Sequence, residues 1–240
     1  MSRDKRFNPA FTIVETMLSM VFISILLISI SVVTVQVVNF YRKGIVLKSV
    51  NQVGRLVADD MARSIANGGG MDLSRDFYTN DDFGVMCTGD YTYVWNYGPS
   101  LTKPTSQTVK YKNASTTSKD DVIRLVKVSD RGHSYCDFTD HYNAVNNKIT
   151  KQGADGLGNV IELIKPGDGD LAFHSFQIIQ GFSDNNTGES LLTAEFVLGT
   201  YFDPVIIKDA ACVPRGDSSG DQSSYCAINK FEFTTRTMLR

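Results

Sequence analysis

Glu15 is the first residue of this chain that asks for a chemical partner. It stands directly before Thr16 to Tyr41, a stretch with no charged side chain. A carboxylate at the mouth of an apolar run is costly unless a cation or several donors satisfy it. Four cysteines, Cys87, Cys136, Cys212 and Cys226, form an even set, too sparse for a disulfide-dense scaffold but enough for two bridges. His133-Ser134-Tyr135-Cys136 followed by His141 has metal-like spacing. Zinc, however, needs three or four ligands and groups that orient them, and Cys136 serves better as half of a disulfide. Gly216-Asp217-Ser218-Ser219-Gly220 would make Ser218 a nucleophile only with a His base and an Asp orienter. None of His133, His141 and His174 lies in such a partner motif, so a polar surface loop is the simpler reading. Asp168 with Asp170, Asp184 through Glu189, and Asp217 with Asp221 could offer hard oxygens to Ca²⁺. No full twelve-residue calcium loop is present, and solvated turns suffice. Asn113 and Asn186 lie in glycosylation-type sequons. No phosphate-cradling glycine loop and no basic–aromatic patch is found. The expectation is a protein that is not an enzyme and needs no cofactor, calcium in an acidic loop being the one option kept open.

The elements that position these residues begin with the apolar run. The chain has 240 residues, of which 42% are hydrophobic and 21% charged, with a net charge of −2. That balance is ordinary for a folded protein and argues against nucleic-acid binding through a bulk basic patch. A mean hydropathy of −0.13 excludes a polytopic membrane protein, but not a single span. Met17 to Val38 holds 16 apolar residues among 22. As a helix this covers about 33 Å, close to the hydrocarbon thickness of a bilayer. Arg3, Lys5 and Arg6 precede it, which places the N-terminus in the cytoplasm and the following residues outside. A secretory signal would have a shorter apolar core and a small-residue cleavage site, whereas this run exits through Val37-Val38-Asn39-Phe40-Tyr41. A plain signal anchor fits the length but leaves Glu15 unexplained.

The segment Asn8-Pro9-Ala10-Phe11-Thr12-Ile13-Val14-Glu15-Thr16-Met17-Leu18 resembles the class III signal of type IV prepilins. That resemblance implies cleavage of residues 1–10 by a prepilin peptidase at the Ala10–Phe11 junction. It also implies N-methylation of Phe11 and a role for Glu15 in assembly, neutralising the new α-amine of its own or a neighbouring subunit. Ala10 stands where the family usually has Gly, and the mid-helix Gly and Pro of many major pilins are missing between Ser24 and Val33. These departures favour a minor subunit or a less typical lineage over a well-known major pilin. The same helix would have two surroundings, lipid before assembly and packed helices afterwards, and Ser19, Ser24, Ser29 and Ser31 would let neighbouring helices approach or be filler that lipid tolerates.

Past the apolar run, Val46, Val50, Val53, Val57, Met61 and Ile65 recur at helical steps, with charged residues between them. Gly68-Gly69-Gly70 ends the pattern. A helix from Phe11 to about Asn67 follows, roughly 85 Å long, with its stripe needing a cover. Short segments rich in Val, Ile, Tyr, Phe and Thr supply it: Tyr91–Tyr97, Thr108–Lys112, Val122–Val128, Val160–Ile164, Leu171–Ile179, Leu191–Phe202 and Phe231–Met238. Gly98-Pro99-Ser100 reads as a turn between two of them, and Leu101–Lys119 as a mobile loop or ragged hairpin. The fold class is α+β, with an antiparallel sheet packed on the helix. The organisation reads as a leader over 1–10, a membrane-spanning or filament-core helix over 11–40, its amphipathic continuation over 41–67 and a β-rich ectodomain over 68–240. Leu191–Leu198 and Phe231–Arg240 resemble the closing strand pair of PilW/PulJ-type minor pilins and pseudopilins, and equally suit a plain amphipathic hairpin.

An ectodomain in an oxidising space should keep its cysteines paired. Cys212–Cys226 would close a loop with 13 intervening residues and little apolar content, a bridge of about 3 kcal/mol in the chain-entropy model. Cys87–Cys136 follows by elimination among three connectivities. The expected function is a structural subunit, minor or priming, of a type IV pilus or pseudopilus, with a major pilin as the alternative. A membrane-tethered binding module outside any filament is the reading from a different class. Expected partners are other pilin subunits, prepilin peptidase, the assembly platform and, before assembly, membrane lipid. The expected location is the bacterial inner membrane and then the extracellular filament.

Overall fold

The computed structural model describes residues 12–112, 121–136, 139–150, 160–165, 170–184, 188–201, 207–208, 211–212 and 226–238. A long apolar N-terminal helix is followed by antiparallel β-sheets, an α+β arrangement. The helix, α1, runs Ile13–Asn67. Residues up to Arg42 and from Lys43 onward form two separate units.

Among the described residues of the first unit, α1 buries no side chain. Every large apolar side chain from Ile13 to Tyr41 is at least 41% exposed, and the helix is long and apolar enough to cross a membrane.

In the second unit the same helix is amphipathic. Val50, Gly54, Val57, Ala58, Met61, Ser64 and Ile65 point inward, the i, i+3, i+4 stripe seen in the sequence. The helix ends where Gly68 N–H reaches the Ile65 carbonyl at 3.2 Å and Gly69 takes φ +71°. That left-handed position suits glycine. A short turn, α2 (Leu73–Asp76), leads into β1 (Phe77–Thr79), β2 (Phe83–Thr88) and β3 (Tyr91–Asn96). After α3 (Gly98–Thr102) come β4 (Leu125–Ser129), α4 (His141–Val145) and β5 (Val160–Ile164). These strands form one antiparallel sheet in the order β1-β2-β3-β4-β5. A second sheet, β10-β7-β6, pairs β6 (Leu171–Asp184), β7 (Glu189–Thr200) and β10 (Ile228–Met238), while β8 (Ile207–Lys208) and β9 (Ala211–Cys212) make a separate two-stranded ribbon.

One core lies between the α1 stripe and both sheets, built around Trp95, Tyr93, Phe173, Phe176 and Phe196. A second lies on the other face of the five-stranded sheet, where Val109, Tyr111, Ile123, Val145 and Ile149 cover Phe83, Val85, Val94 and Val126.

Several sequence readings are corrected. The expected single sheet is two sheets and a ribbon, because the long β6–β7 hairpin pairs with β10; it meets the first sheet through an isolated parallel bridge just past β3, Tyr97 to Phe173, and through the packing of Trp95 on Phe173 and Phe176. Thr108–Lys112 is no strand but a docked segment with a single bridge, Lys110 to Val122. Its side chains, Val109 at 0% and Tyr111 at 3% exposure, plug the second core; within its described residues, 101–112, the stretch is not a ragged hairpin. The strand read over Val122–Val128 begins only at Leu125. Gly98-Pro99-Ser100 opens a helical turn, with Pro in the first turn where its missing N–H costs nothing. β1 and β2 were not anticipated.

Candidate functional site

Built from the residues upward, the start of α1 is a reciprocal cap. The Glu15 N–H donates to Thr12 Oγ1 at 3.3 Å, while the Thr12 N–H and hydroxyl donate to Glu15 Oε2 at 3.0 and 3.1 Å. Thr12 is the N-cap and Glu15 the third helical residue, the capping-box spacing of Thr followed three positions later by Glu. The carboxylate also lies at the positive end of the helix dipole. Thr12 was missed in the sequence reading, although the Thr-x-x-Glu pattern carries the signal. Ala10 and Phe11 lie outside the described residues.

The serines of the apolar run and Thr34 satisfy themselves. Ser19, Ser24, Ser29, Ser31 and Thr34 each donate to the carbonyl four residues earlier, at 2.7–2.9 Å. A hydroxyl bonded within its own helix needs neither water nor a partner, which fits an apolar surrounding.

The structure joins Cys87 to Cys136 and Cys212 to Cys226, with Cα separations of 6.5 and 6.0 Å. Cys136 is therefore not offered to a metal, and no cluster of three or more ligating side chains occurs among the described residues. The Cys87–Cys136 bridge is anchored through Asp130. Its carboxylate accepts from the Ser134 and Tyr135 amides and from the Ser134 and Thr92 hydroxyls, at 2.8–3.0 Å. Burial opposes ionisation of Asp130, but these donors together outweigh it and hold the carboxyl below its usual range. Gly216–Gly220 and Asp168, Asp217 and Asp221 lie outside the described residues. Asp170 is described and pairs with Arg124 at 3.3 Å, which gives it a structural task.

Two further polar features were not legible in advance. Lys127 of β4 is buried, and its ammonium donates to Asp60 Oδ1, Asp60 Oδ2 and Ser64 Oγ, each at 3.0 Å. The Tyr93 hydroxyl donates to Asp60 Oδ2 at 2.7 Å and lies 2.6 Å from Ser64 Oγ. The Tyr91 ring centroid sits 4.2 Å from the ammonium. Burial, then the Asp60 carboxylate, push the Tyr93 phenol upward. The second feature is His174, at the bulge of β6 between Phe173 and Ser175. Its ring abuts Gly98 and Gly199, and its buried Nε2 finds no partner. Burial lowers its pKa to about 4, only partly offset by the backbone at Gly199 and Thr200.

No family model, curated protein or solved structure matches this chain.

Proposed function

We propose that the chain is a structural subunit of a type IV pilus or related pseudopilus, minor or priming in role. On this reading prepilin peptidase cuts between Ala10 and Phe11 and Phe11 is methylated. The chain then waits in the inner membrane with its β-rich part outside, and an assembly platform draws it into a filament through its N-terminal helix. The observation that carries this is an apolar helix, exposed all round from Ile13 to Tyr41, whose first turn carries an ionisable carboxylate directly behind the Ala10–Phe11 junction. Such a helix can be satisfied by lipid or by a bundle of its own kind, and on this reading Glu15 neutralises an α-amine there. The mid-helix run lacks Gly and Pro and the β-rich part is large, which supports a minor subunit; quantitative proteomics of sheared filaments should find this chain as a small fraction of their mass.

A membrane-tethered binding body outside any filament is the second reading. The capping box favours it, because it gives Glu15 work without a partner chain. The Glu15→Gln exchange separates the two. Glutamine still closes a capping box, yet it carries no charge for an α-amine, and losing a buried charge pair costs about 3–5 kcal/mol. A filament subunit should keep its membrane level and lose incorporation. Unchanged incorporation into filaments would refute the pairing, and a mature terminus other than methylated Phe11 by mass spectrometry would refute processing.

A further inference from the structure

The charges that follow the apolar run on α1 are of one sign. After Glu15 the next carboxylate is Asp59, and between them stand Arg42, Lys43, Lys48 and Arg55. All four are exposed. Lys43 and Lys48 make no ion pair or hydrogen bond among the described residues. Neither has an acidic residue three or four positions away, where a helix would place one to pair with it. Phe40 and Tyr41 close the apolar run and are exposed, an aromatic pair of the kind that marks where a helix leaves the hydrocarbon.

Distance decides which of these cations reach a membrane surface. Headgroups add about 5–7 Å to each side of the hydrocarbon, and a charge is felt for about 8 Å more at physiological salt. Counted along α1 from Tyr41, Lys43 lies about 3 Å, Lys48 about 10 Å and Arg55 about 21 Å further on. Helical side chains also lean toward the N-terminus, here back toward the apolar run. Arg42, Lys43 and Lys48 therefore fall within reach of the headgroups, and Arg55 falls outside it.

Direction around the helix decides the kind of partner. By helical periodicity, Arg42, Lys43 and Lys48 stand about 100°, 140° and 120° apart, which spreads them round the whole circumference. A protein docking on one side would meet only part of this set. A leaflet encloses the helix and meets all three. Ile45 and Leu47 are exposed among them, and no atom lies within 4 Å of the place a Cβ on Gly44 would take. Apolar surface and cations thus share one ring, as on helices that rest at a membrane interface.

We propose that Arg42, Lys43 and Lys48 form a cationic collar that selects anionic phospholipids in the leaflet where α1 leaves the membrane. The collar rests on the reading of α1 as a membrane span and not on the filament.

The test reconstitutes the full chain in phosphatidylcholine vesicles with a trace of spin-labelled phosphatidylglycerol or spin-labelled phosphatidylcholine. Electron paramagnetic resonance then compares the motionally restricted fraction of each label. One cation near a membrane surface favours an anionic lipid by about fivefold. The unaltered chain should therefore prefer phosphatidylglycerol several-fold at low salt, and the preference should fade as salt shortens the reach of charge. Lys43→Gln together with Lys48→Gln should remove most of it, while Arg55→Gln should leave it in place. A preference that survives the double exchange would overturn the collar, and so would one that Arg55→Gln lowers equally. Equal restriction of both labels by the unaltered chain would also overturn it. A double variant that keeps its lipid preference but loses incorporation into filaments would assign the lysines to a neighbouring subunit instead. If neither label is restricted, α1 does not span the bilayer, and the membrane reading falls together with the collar.

Discussion

Replacing His174 by glutamine tests whether a histidine can sit in this fold only while uncharged. The ring lies in the β6 bulge against Gly98 and Gly199, with its Nε2 buried and unpartnered, and its pKa falls from 6.5 to about 4. The unfolded chain therefore binds a proton between these values that the folded chain refuses. Stability from this residue is complete above pH 6.5, falls as the pH drops toward 4, and changes no further below that. A displacement of this size corresponds to about 3 kcal/mol. The carboxylates titrate in both proteins, so the informative quantity is the difference between the chain and its His174→Gln variant, from denaturant unfolding in detergent at pH 7, 5.5 and 4. That difference should shrink by about 3 kcal/mol toward acid. In parallel, the His174 ring proton signal should stay still in an NMR titration from pH 8 to 5. A pH-independent difference, or a ring that titrates near 6.5, would refute the reasoning.

Gly54→Ala places a methyl against the Phe231 ring, itself stacked on Phe196 at 5.2 Å. Overpacking of about 1–3 kcal/mol should exceed the helix-propensity gain of up to about 1 kcal/mol, so Tm should fall, and Phe231→Leu should restore part of the loss. Removing Cys87 and Cys136 together opens a loop spanning 49 positions, which costs about 4 kcal/mol in the chain-entropy model. Hydrogen exchange should then rise first in the cover formed by residues 130–136 and 141–149, while β6, β7 and β10 keep their protection.

What could be read in advance depended on how local the cause was. The course of α1 follows from residues three and four apart and from the glycines after Asn67, all visible along the chain. β2 escaped because Phe83 to Thr88 is buried on both faces, so it shows no alternation, and Gly84, its second residue, makes room for Trp95. Thr108–Lys112 has strand-like residues because it must fill a core, not because it pairs. The division into two sheets depends on pairings such as Phe196 with Phe231, too distant in sequence to be seen as a pattern. The same holds for Asp60 with Lys127, 67 residues apart, whereas Thr12 with Glu15 was within reach of inspection.

The cap at Thr12 and Glu15 also bears on the order of events in the life of the chain. A helix start normally draws on whatever precedes it, and a cut just upstream would then unravel the first turn. Here the Thr12 and Glu15 amides are satisfied by each other's side chains, so this cap draws on nothing before Thr12. Trimming at any point N-terminal to Thr12 can act on an already formed rod. Were the chain cut between Ala10 and Phe11 as proposed, the cut and the Thr12–Glu15 cap would be independent of one another.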